Sequence, residues 1–455
     1  MKYELVLLMF ALLAGATALK ILHLADFHLD VDYSVTGDNQ HMCHNTTNIT
    51  KSRLGPFGDY MCDAPKPLVI HAIDEAKRIV TDPDLIIWTG DNVPHVDGYD
   101  WNYVMNVMNL TTSLLFSRFP NRLILPTFGN HDYAPANAFE NNSILYSKMW
   151  ELWKEMLGES EKERFLLGGY YKHELRNATI LVLNTNLYYN ANKAYVNFTN
   201  KDDPANQFAF MESELKAAQG CRKQGSAGCK PTVHIVAHIA PGVFERTPNF
   251  TWFRNPYNEK FLKLTVDYAG VIGYMLFGHH HTDTFHLIKD PSGLTVQFAL
   301  MSPAVTPWFS TLEGAGANNP AFRVYDTDEN GIINDIVTYY INLDTLNAEG
   351  SQSPFVEEYS FKKAYNISGS INVKAMNDLV QQLKTNDEVF RTYINYNSVL
   401  WKPDMPQGRF RGAQLCSIEF ADYPRYDACM AQYNSAYSYT AWTTAILSFL
   451  FYRFL

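Results

Sequence analysis

The chain has 455 residues, of which 47 are acidic and 37 are lysine or arginine, so its formal net charge is −10 with neutral histidine. That balance argues against a nucleic acid polymer as the main partner, because neutralising a phosphate backbone requires clustered positive charge. Hydrophobic residues make up 47% of the chain, which excludes a disordered or collagen-like protein and predicts a large folded core. All 14 histidines lie between His23 and His286, so we expect histidine chemistry only in the first two thirds of the chain.

The N-terminus has the pattern of a secretory signal peptide. A lysine near the start is followed by an apolar run from Leu5 to Leu13 and by small residues at Ala16 and Ala18. An apolar stretch of under about 15 residues with a small-x-small site is typical of such peptides and is too short to span a bilayer. We therefore expect residues 1–18 to be removed and the mature chain to begin near Leu19.

Short apolar runs alternate with amphipathic helical patterns along the first two thirds of the chain. The apolar runs are rich in Val, Ile and Leu, which predicts buried strands. They cover Leu19–Ala25, Leu85–Thr89, Arg122–Phe128, Thr179–Leu183, Val233–Ala237 and Val271–Phe277. One helical pattern starts at Pro67 and ends at Asp82-Pro83, and another starts at Phe208 and ends at Gly220. The alternation predicts an α/β fold with a largely parallel sheet.

Beyond residue 290 the pattern changes to strands without intervening helices, which we expect to extend the first sheet or to pair in a second one. These runs cover Leu294–Met301, Ala321–Tyr325 and Ile332–Leu343. The polar stretch Asp344–Pro354 is typical of a linker, and helical patterns follow at Val373–Leu383 and Glu388–Tyr396. The sequence thus predicts a catalytic domain over residues 19–345 and a small helical C-terminal subdomain over residues 355–435.

The last residues, 436–455, form a mostly apolar tail in which Arg453 is the only charge. Its apolar stretch, Ala441–Leu455, is too short to span a bilayer comfortably. Small residues at Asn434-Ser435-Ala436 followed by an apolar tail resemble a signal for a GPI anchor, although Tyr437–Thr440 is shorter than the usual spacer of roughly 8 to 12 residues. Two interpretations stay open: tethering to a membrane through such an anchor, and a last segment that docks on the core.

The cysteines and the glycosylation motifs agree with export. The six cysteines fall into three local pairs, and each disulfide would contribute about 2 to 4 kcal/mol in an oxidising compartment. The expected pairs are Cys43 with Cys62, Cys221 with Cys229, and Cys416 with Cys429; free buried thiols are the alternative. Eight Asn-x-Ser/Thr motifs predict surface glycans. They begin at Asn45, Asn48, Asn109, Asn141, Asn177, Asn197, Asn249 and Asn366.

Side chains that bind metals follow all but one of the six predicted strands in the first two thirds. They occur in the motifs Asp26-Phe27-His28, Gly90-Asp91-Asn92, Gly129-Asn130-His131-Asp132, a lone His238, and Gly278-His279-His280-His281. Each motif is weak on its own, but the carboxyl ends of strands are where an open α/β sheet places its site. The ordered set therefore predicts a metal centre at one edge of the sheet.

This ordered set resembles the calcineurin-like metallophosphoesterase superfamily over roughly residues 20–290. It is most similar to the acid sphingomyelinase branch, because His95 lies four residues after Asp91 and Asn130-His131 follows the sequence Pro-Thr-Phe-Gly. The resemblance implies a four-layer sandwich, in which two mixed β-sheets are flanked by helices. It also implies two metal ions that share one aspartate.

Carried over motif by motif, the resemblance implies two metal sites. The first would consist of Asp26, His28, Asp91 and His281, and the second of Asp91, Asn130, His238 and His279. Two carboxylates against two divalent ions leave a surplus of about two positive charges, which can receive a phosphate ester. Four imidazoles among the seven ligands favour two Zn²⁺ ions over magnesium, which prefers oxygen ligands.

The resemblance also implies a catalytic role for His95 and His131, which would lie beside the metals without binding them. A hydroxide that bridges the two metals would attack phosphorus in line with the leaving group. We expect both imidazoles to stabilise the transition state and one of them to protonate the departing alkoxide. We favour His131 as that acid, oriented by Asp132 or by a backbone carbonyl.

Other residues carry weaker predictions. His280 lies between two ligands on an extended segment, so its side chain is expected on the opposite face in a structural role. Asp30 and Asp32 are expected in a solvated turn, and Tyr188 and Tyr189 either line the cleft or pack in the core. Three further histidines are assigned to the core or the surface: His23, His234 and His286.

The whole pattern resembles the acid sphingomyelinase-like phosphodiesterases. The first metal motif follows so soon after the expected cleavage that we expect no saposin domain. The resemblance implies a monomeric, secreted, lysosomal or GPI-anchored enzyme that hydrolyses phosphoester or pyrophosphate bonds in small molecules such as ATP or CDP-choline. Two alternatives stay open: a phosphodiesterase that acts on sphingomyelin in membranes, and a non-catalytic surface modulator on the same scaffold.

Overall fold

The computed structural model describes residues 18–45, 53–225, 227–328, 330–401 and 404–433. Most of the predicted signal peptide and the predicted apolar tail lie outside these residues, as does the glycosylation motif at Asn48. Among the described helices, none combines the length and the apolar character that crossing a membrane requires.

Within the described residues, the chain forms two six-stranded sheets and one two-stranded ladder. In chain order the strands are β1 (Ala18–Leu24), β2 (Leu29–Asp30), β3 (Ala64–Pro65), β4 (Leu85–Trp88), β5 (Ile124–Pro126), β6 (Tyr171–Glu174), β7 (Ala178–Val182), β8 (Thr232–Val236), β9 (Ile272–Phe277), β10 (Thr284–Lys289), β11 (Thr295–Met301), β12 (Ala321–Asp328), β13 (Ile333–Tyr340) and β14 (Val356–Ser360). The first sheet has the order β14-β13-β12-β1-β4-β5 and the second has the order β10-β11-β9-β8-β7-β6. Both sheets contain parallel and antiparallel pairs, so both are mixed.

Helices flank the two sheets. In chain order they are α1 (Lys66–Ile79), α2 (Trp101–Arg118), α3 (Ile144–Leu157), α4 (Lys162–Gly168), α5 (Gln207–Gln224), α6 (Asn255–Asp267), α7 (Leu343–Glu349), α8 (Phe361–Ala364), α9 (Val373–Thr385), α10 (Asp387–Asn397) and α11 (Gly408–Glu419). One hydrophobic core joins both sheets, since it contains Leu22 of the first and Leu276 of the second. The predicted α/β sandwich with mixed sheets and a helical C-terminal region is confirmed.

Each strand predicted in the first two thirds of the chain is present, although only Ile124–Pro126 of the third run pairs with its neighbour. Two strands in this part of the sheets were not predicted, β6 and β10. Strand β6 lies at the edge of the second sheet, and only its first residue is buried. An edge strand of this kind carries no apolar run, so the sequence gives little indication of it.

The segment predicted to be a linker is partly helical. Helix α7 begins after Asn342, whose side chain accepts a hydrogen bond from the backbone N–H of Thr345. Leu343 and Leu346 are buried on one face of this helix. Strand β14 follows and pairs with β13, so the region predicted to be a helical subdomain from residue 355 begins with a strand of the first sheet.

Helix α5 is longer than predicted. It passes through Gly220 without interruption and ends at Gln224, where Gly225 adopts a left-handed conformation with φ of 63°. Gly225 provides the backbone freedom that a helix end of this type requires. The prediction that Gly220 ends the helix is therefore wrong.

The C-terminal helices complete the second sheet. Helix α9 packs against β11, and α11 packs against β10. A disulfide joins Cys416 of α11 to Cys429. The other two disulfides join Cys43 to Cys62 and Cys221 to Cys229, so each predicted pair is bonded in the structure.

Candidate metal centre and active site

The turns that follow five strands bring all seven predicted ligands to one edge of the two sheets. Their donor atoms form two groups, in each of which the atoms lie within 4.8 Å of one another. The groups are Asp26, His28, Asp91 and His281, and Asp91, His238 and His279. Asn130 lies next to the second group, with Oδ1 3.1 Å from Nε2 of His238. Asp91 is common to both groups, as expected for a shared aspartate.

Left-handed backbone conformations at the strand ends aim these side chains inward. The ligands with positive φ angles are Asp26 (51°), His28 (38°), Asp91 (53°), His279 (70°) and His281 (61°). Non-glycine residues rarely adopt this region, and such residues cluster at functional sites. The strain indicates that the surrounding fold holds the ligands in place.

Two glycines allow the turns after β4 and β5 to lie against each other. A Cβ atom on Gly129 would lie 2.1 Å from the backbone nitrogen of Asp91, and one on Gly90 would lie 2.3 Å from the backbone nitrogen of Gly129. Neither distance is sterically allowed for a side chain, so both positions require glycine. The approach of these turns places Asp91 beside the ligands of both predicted sites.

The buried carboxylate of Asp132 joins the same two turns. It accepts hydrogen bonds from the backbone N–H groups of Gly129, Asp91, Asn92 and Val93. The structure shows no hydrogen bond from this carboxylate to the ring of His131. The prediction that Asp132 orients His131 is therefore not supported, because its oxygens serve the backbone.

The Asp91 carboxylate lies between two imidazoles. Its Oδ2 atom is 3.3 Å from Nε2 of His28 and 3.2 Å from Nε2 of His238. Backbone carbonyls fix both rings, because Nδ1 of His28 donates to Val93 and Nδ1 of His238 donates to Thr89, each at 2.8 Å. A neutral ring that donates through Nδ1 carries its lone pair on Nε2. In this tautomer the Nε2 lone pairs of His28 and His238 both face the carboxylate oxygen of Asp91.

Further acceptor atoms converge on the same places. Nε2 of His28 lies 3.1 Å from Nε2 of His281, and Nε2 of His238 lies 3.2 Å from Nδ1 of His279. Buried lone pairs that face one another need positive charge between them. This donor set, with imidazole nitrogens and carboxylate and amide oxygens, fits divalent metal ions.

The pKa values of these side chains in the metal-free protein also indicate a site for positive charge. Burial raises the pKa of Asp26 to about 7. Burial disfavours the charged form of His28, but the Asp91 carboxylate outweighs this and raises the pKa of His28 to about 9. Burial would raise the pKa of Asp91, yet His238 and His28 hold it well below its usual range. The site therefore attracts positive charge, as protons or as metal ions.

His95 and His131 lie beside these groups. Their ring centroids are 4.3 Å apart, and the ring of His95 stacks on that of His28 at 3.9 Å. The other stacking partner of His95 is Trp308, at 3.7 Å with an interplanar angle of 12°. Burial lowers the pKa of His131 to about 4 and that of His95 well below its usual value, so both rings are neutral before an anion binds.

Asp63 is a buried neighbour of His95 that the sequence motifs did not indicate. Its buried carboxylate accepts hydrogen bonds from the backbone N–H of His95 and from Nδ1 of the His95 ring, the latter at 3.0 Å. The hydroxyl of Thr306 donates to the same carboxylate at 3.1 Å. Asp63 follows a disulfide cysteine in a loop, and no strand pattern marks it.

A cleft of about 320 Å³ opens over the metal centre. Aromatic side chains form much of its wall: Tyr189, Phe244, Phe250, Trp252 and Trp308. Tyr189 thus lines the cleft, whereas Tyr188 is buried and stacks on Phe208 with 4.3 Å between the ring centroids. The two expected positions are therefore both occupied: Tyr189 lies in the cleft and Tyr188 in the core.

Arg246 is the only lysine or arginine among the described residues that line this cleft. Its guanidinium is buried, and its donors bind Ala315, Asn318 and Asn397. The guanidinium therefore ties the cleft wall together and is not free to bind a phosphate. Positive charge for an anionic substrate must come from the metal centre.

His280 has the structural role predicted for it. It is buried, and its Nδ1 atom lies 2.9 Å from Oε2 of the buried Glu245. The prediction for Asp30 is wrong, since this side chain is buried and its Oδ2 atom lies 2.8 Å from Nε2 of His44. Burial is also found at the three histidines that the sequence assigns to the core or the surface: His23, His234 and His286.

The glycosylation motifs that the structure describes have accessible asparagines. Exposed side chains occur at Asn45, Asn109, Asn197, Asn249 and Asn366. Partly exposed side chains occur at Asn141 and Asn177. None of these seven is buried, so the surface places no obstacle to attachment.

Two family models match the chain. Residues 19–283 match the calcineurin-like phosphoesterase model, and residues 295–436 match the model of the acid sphingomyelin phosphodiesterase C-terminal region. The first region contains the entire set of predicted ligands. The second contains Trp308 and the C-terminal helices.

Similar proteins match along nearly the whole length. The chain is 35% identical to the human acid sphingomyelinase-like phosphodiesterase 3b over 421 residues, which cover 90% of each chain. It is 33% identical to the human cyclic GMP-AMP phosphodiesterase SMPDL3A, over 92% of this chain and 91% of that protein. It is 28% identical to a protein named sphingomyelinase phosphodiesterase C from Dictyostelium discoideum, over 91% of this chain and 93% of that protein.

The two family models together cover most of the chain, two relatives at 33% and 35% identity match about 90% of its length, and the metal-binding motifs meet in one centre. The chain therefore belongs to the acid sphingomyelinase-like phosphodiesterases of the calcineurin-like metallophosphoesterase superfamily and is a metal-dependent phosphodiester hydrolase.

Proposed function

We propose that the centre holds two zinc ions that share Asp91. Asp26, His28 and His281 would complete the first site, and Asn130, His238 and His279 the second. The position of Asp91 Oδ2 between the Nε2 atoms of His28 and His238 supports the shared ligand. The four imidazoles support zinc rather than magnesium. When bound, such ions supply Lewis-acid charge for the phosphoryl oxygens and an activated water as the nucleophile.

We infer that His95 and His131 stabilise negative charge in the transition state and that one of them supplies the proton for the leaving group. Asp63 accepts a hydrogen bond from Nδ1 of His95, so Nε2 of that ring could donate to a phosphoryl oxygen once the ring is protonated. We assign the protonation of the departing oxygen to His131, which also lines the cleft. Burial lowers the pKa values of the His95 and His131 rings, and a bound phosphoester anion would raise them again.

The substrate we propose is a nucleotide with a phosphodiester or pyrophosphate bond, such as ATP or CDP-choline. The observation that carries this proposal is the aromatic wall of the cleft, on which a base can stack. One relative is a cyclic GMP-AMP phosphodiesterase, which supports a nucleotide substrate. Sphingomyelin is the second candidate, because the C-terminal region matches the acid sphingomyelin phosphodiesterase model.

One screen tests the proposal. The purified full chain would be assayed with ATP, CDP-choline, cyclic GMP-AMP and sphingomyelin liposomes without detergent, at one acidic and one neutral pH, and its metal content measured by elemental analysis. We expect about two zinc ions per chain and faster hydrolysis of a nucleotide than of the lipid. Faster hydrolysis of sphingomyelin would establish the second candidate. A single metal per chain would contradict the dinuclear site.

We also propose that the protein acts as a monomer outside the cytosol, as a secreted, lysosomal or membrane-tethered glycoprotein. Three disulfides support an oxidising compartment. The accessible asparagines of the glycosylation motifs support the same location.

A further inference from the structure

The side chain of Asn130 can bind a cation through only one of its two terminal atoms. Its Oδ1 atom carries lone pairs, whereas its Nδ2 atom carries two hydrogens and cannot be a ligand. In the structure Oδ1 points toward Nε2 of His238, at 3.1 Å. A rotation of the amide by half a turn would place N–H groups in the proposed second metal site and remove this ligand.

Asn137 determines which way the amide points. Nδ2 of Asn130 donates a hydrogen bond to Oδ1 of Asn137, at 2.9 Å. Because Oδ1 of Asn137 is an acceptor, it favours the orientation that turns Nδ2 of Asn130 away from the metal centre. This is the only side-chain partner of that Nδ2 atom among the described residues.

The backbone holds Asn137 firmly in this position. Its own N–H donates to the carbonyl of Asn130 at 2.9 Å, so the loop between the two asparagines is closed on itself. The N–H of Lys193 donates to the carbonyl of Asn137 at 2.6 Å. Asn137 has a left-handed conformation with φ of 61°, which asparagine tolerates better than most residues.

We propose that Asn137 is a positioning residue that fixes the amide of Asn130 and thereby sets the affinity of the second metal site. This inference rests on the proposed dinuclear function. Partners that orient metal ligands typically account for about 10- to 100-fold in metal affinity. The first site contains no ligand that contacts Asn137, so its affinity should not depend on this residue.

The test compares Asn137→Gly with Asn137→Asp. Glycine removes the acceptor but accepts the left-handed backbone, so the loop should keep its shape. Aspartate keeps an acceptor oxygen for Nδ2 of Asn130. Zinc affinity would be measured on the full chain by competition with a chromogenic chelator, and metal content by elemental analysis after dialysis against the same chelator.

The matched control is Asn121→Gly. Asn121 also has φ of 61°, but it is exposed and precedes β5, whereas Asn130 follows that strand at its opposite end. The control therefore makes the same substitution in the same backbone conformation away from the metals. Thermal unfolding of each metal-free variant would report on folding separately.

We expect Asn137→Gly to weaken one of two zinc ions by about 10- to 100-fold while the other stays bound. Asn137→Asp and Asn121→Gly should retain both ions. Unchanged affinity in Asn137→Gly, or an equal loss in Asn137→Asp, would overturn the proposal. A wild-type chain that binds only one zinc ion would refute the dinuclear function together with this inference, and the wild type alone would reveal it.

Discussion

Asp63 contacts His95, which lines the cleft, from a loop that follows the Cys43–Cys62 disulfide and not from the end of a strand. Its carboxylate binds both the backbone and the ring of His95, so it fixes the position of the residue and the tautomer of the imidazole. Among the described residues, no carboxylate accepts a hydrogen bond from the ring of His131, and Asp132 binds backbone N–H groups instead. The two histidines therefore have different surroundings, and substitutions should distinguish their roles.

His131→Ala should slow the hydrolysis of a phosphodiester with an alkoxide leaving group by about 100-fold or more, since general acids contribute about 10²- to 10⁴-fold. The same substitution should slow release of nitrophenolate only slightly, because this anion leaves without a proton. Turnover of matched alkyl and nitrophenyl esters measures the difference.

His95→Ala is the comparison for this prediction. If His95 stabilises charge on the phosphoryl oxygens, its removal should slow both esters by similar factors. Equal losses for both esters in His131→Ala would contradict its assignment as the general acid. If only His95→Ala slows the alkyl ester more than the nitrophenyl ester, then His95 and not His131 is the general acid.

At the scale of elements, Glu245 stabilises the turn after β9 through contacts with His280 and Thr282. This buried carboxylate contacts His280 through Oε2 and accepts hydrogen bonds from Thr282 and Asn397 through Oε1. His280 lies between two proposed ligands, so a change at Glu245 acts on the turn that carries both. Burial opposes ionisation, but the contact with His280 outweighs it and lowers the pKa of Glu245 to about 2.

This pKa predicts how stability depends on acidity. The carboxyl has a pKa of 4.5 in the unfolded chain and about 2 in the folded chain, so the unfolded state binds the proton first as the pH falls. The stabilisation is complete above about pH 4.5 and is lost between that pH and about pH 2. Relative to Glu245→Gln, the wild type should therefore lose about 2 kcal/mol of unfolding free energy between pH 6 and pH 3.

Urea unfolding of the metal-free wild type and of Glu245→Gln at several pH values checks this prediction. Both proteins should lose stability in acid through their other carboxyl groups, so the informative quantity is the difference between the two curves. A difference that stays constant from pH 6 to pH 3 would mean that folding does not shift the pKa of Glu245, and a wild type that gains relative stability in acid would mean that this carboxyl is protonated in the folded chain.

At the scale of the whole molecule, the C-terminal helices are part of the core of the enzyme. Helix α9 buries Met376, Leu379, Val380 and Leu383. Each buried side chain of this type contributes about 1.5 to 3 kcal/mol, and a whole domain is stable by only about 5 to 15 kcal/mol. Asn397 of α10 adds a polar link, since it binds both Arg246 and Glu245 beneath the cleft.

We therefore expect a chain that ends after residue 368, without α9 to α11, to lose its folded structure and its metal. Circular dichroism, gel filtration and elemental analysis would measure this. A chain that ends at residue 433 is the matched control, because it keeps every described helix and should stay folded with its metal. Soluble, metal-loaded protein from the shorter chain would contradict this expectation and show that the site forms without α9 to α11.

The predicted metal motifs and the strands that carry them agree closely with the structure, because apolar strands that end in polar turns leave a local pattern in the sequence. Residues that act through loops leave no such pattern. Asp63, Asn137 and Trp308 were missed for this reason. Asp132, one of the two partners expected to orient His131, binds backbone N–H groups instead, because its role depends on two turns that meet only in the folded chain.

The sequence by itself determined the family, the α/β class and the identity of the residues at the strand ends, and proximity along the chain predicted the cysteine pairs that the structure then showed. These properties depend on short-range patterns and on motif order. Only the tertiary structure decided which atoms face one another: that Asp91 lies between two fixed imidazoles, that Asp63 holds His95, and that Asn137 turns the amide of Asn130. The physical reason is that hydrogen bonds between distant loops depend on the packing of both sheets, and no local pattern records that packing.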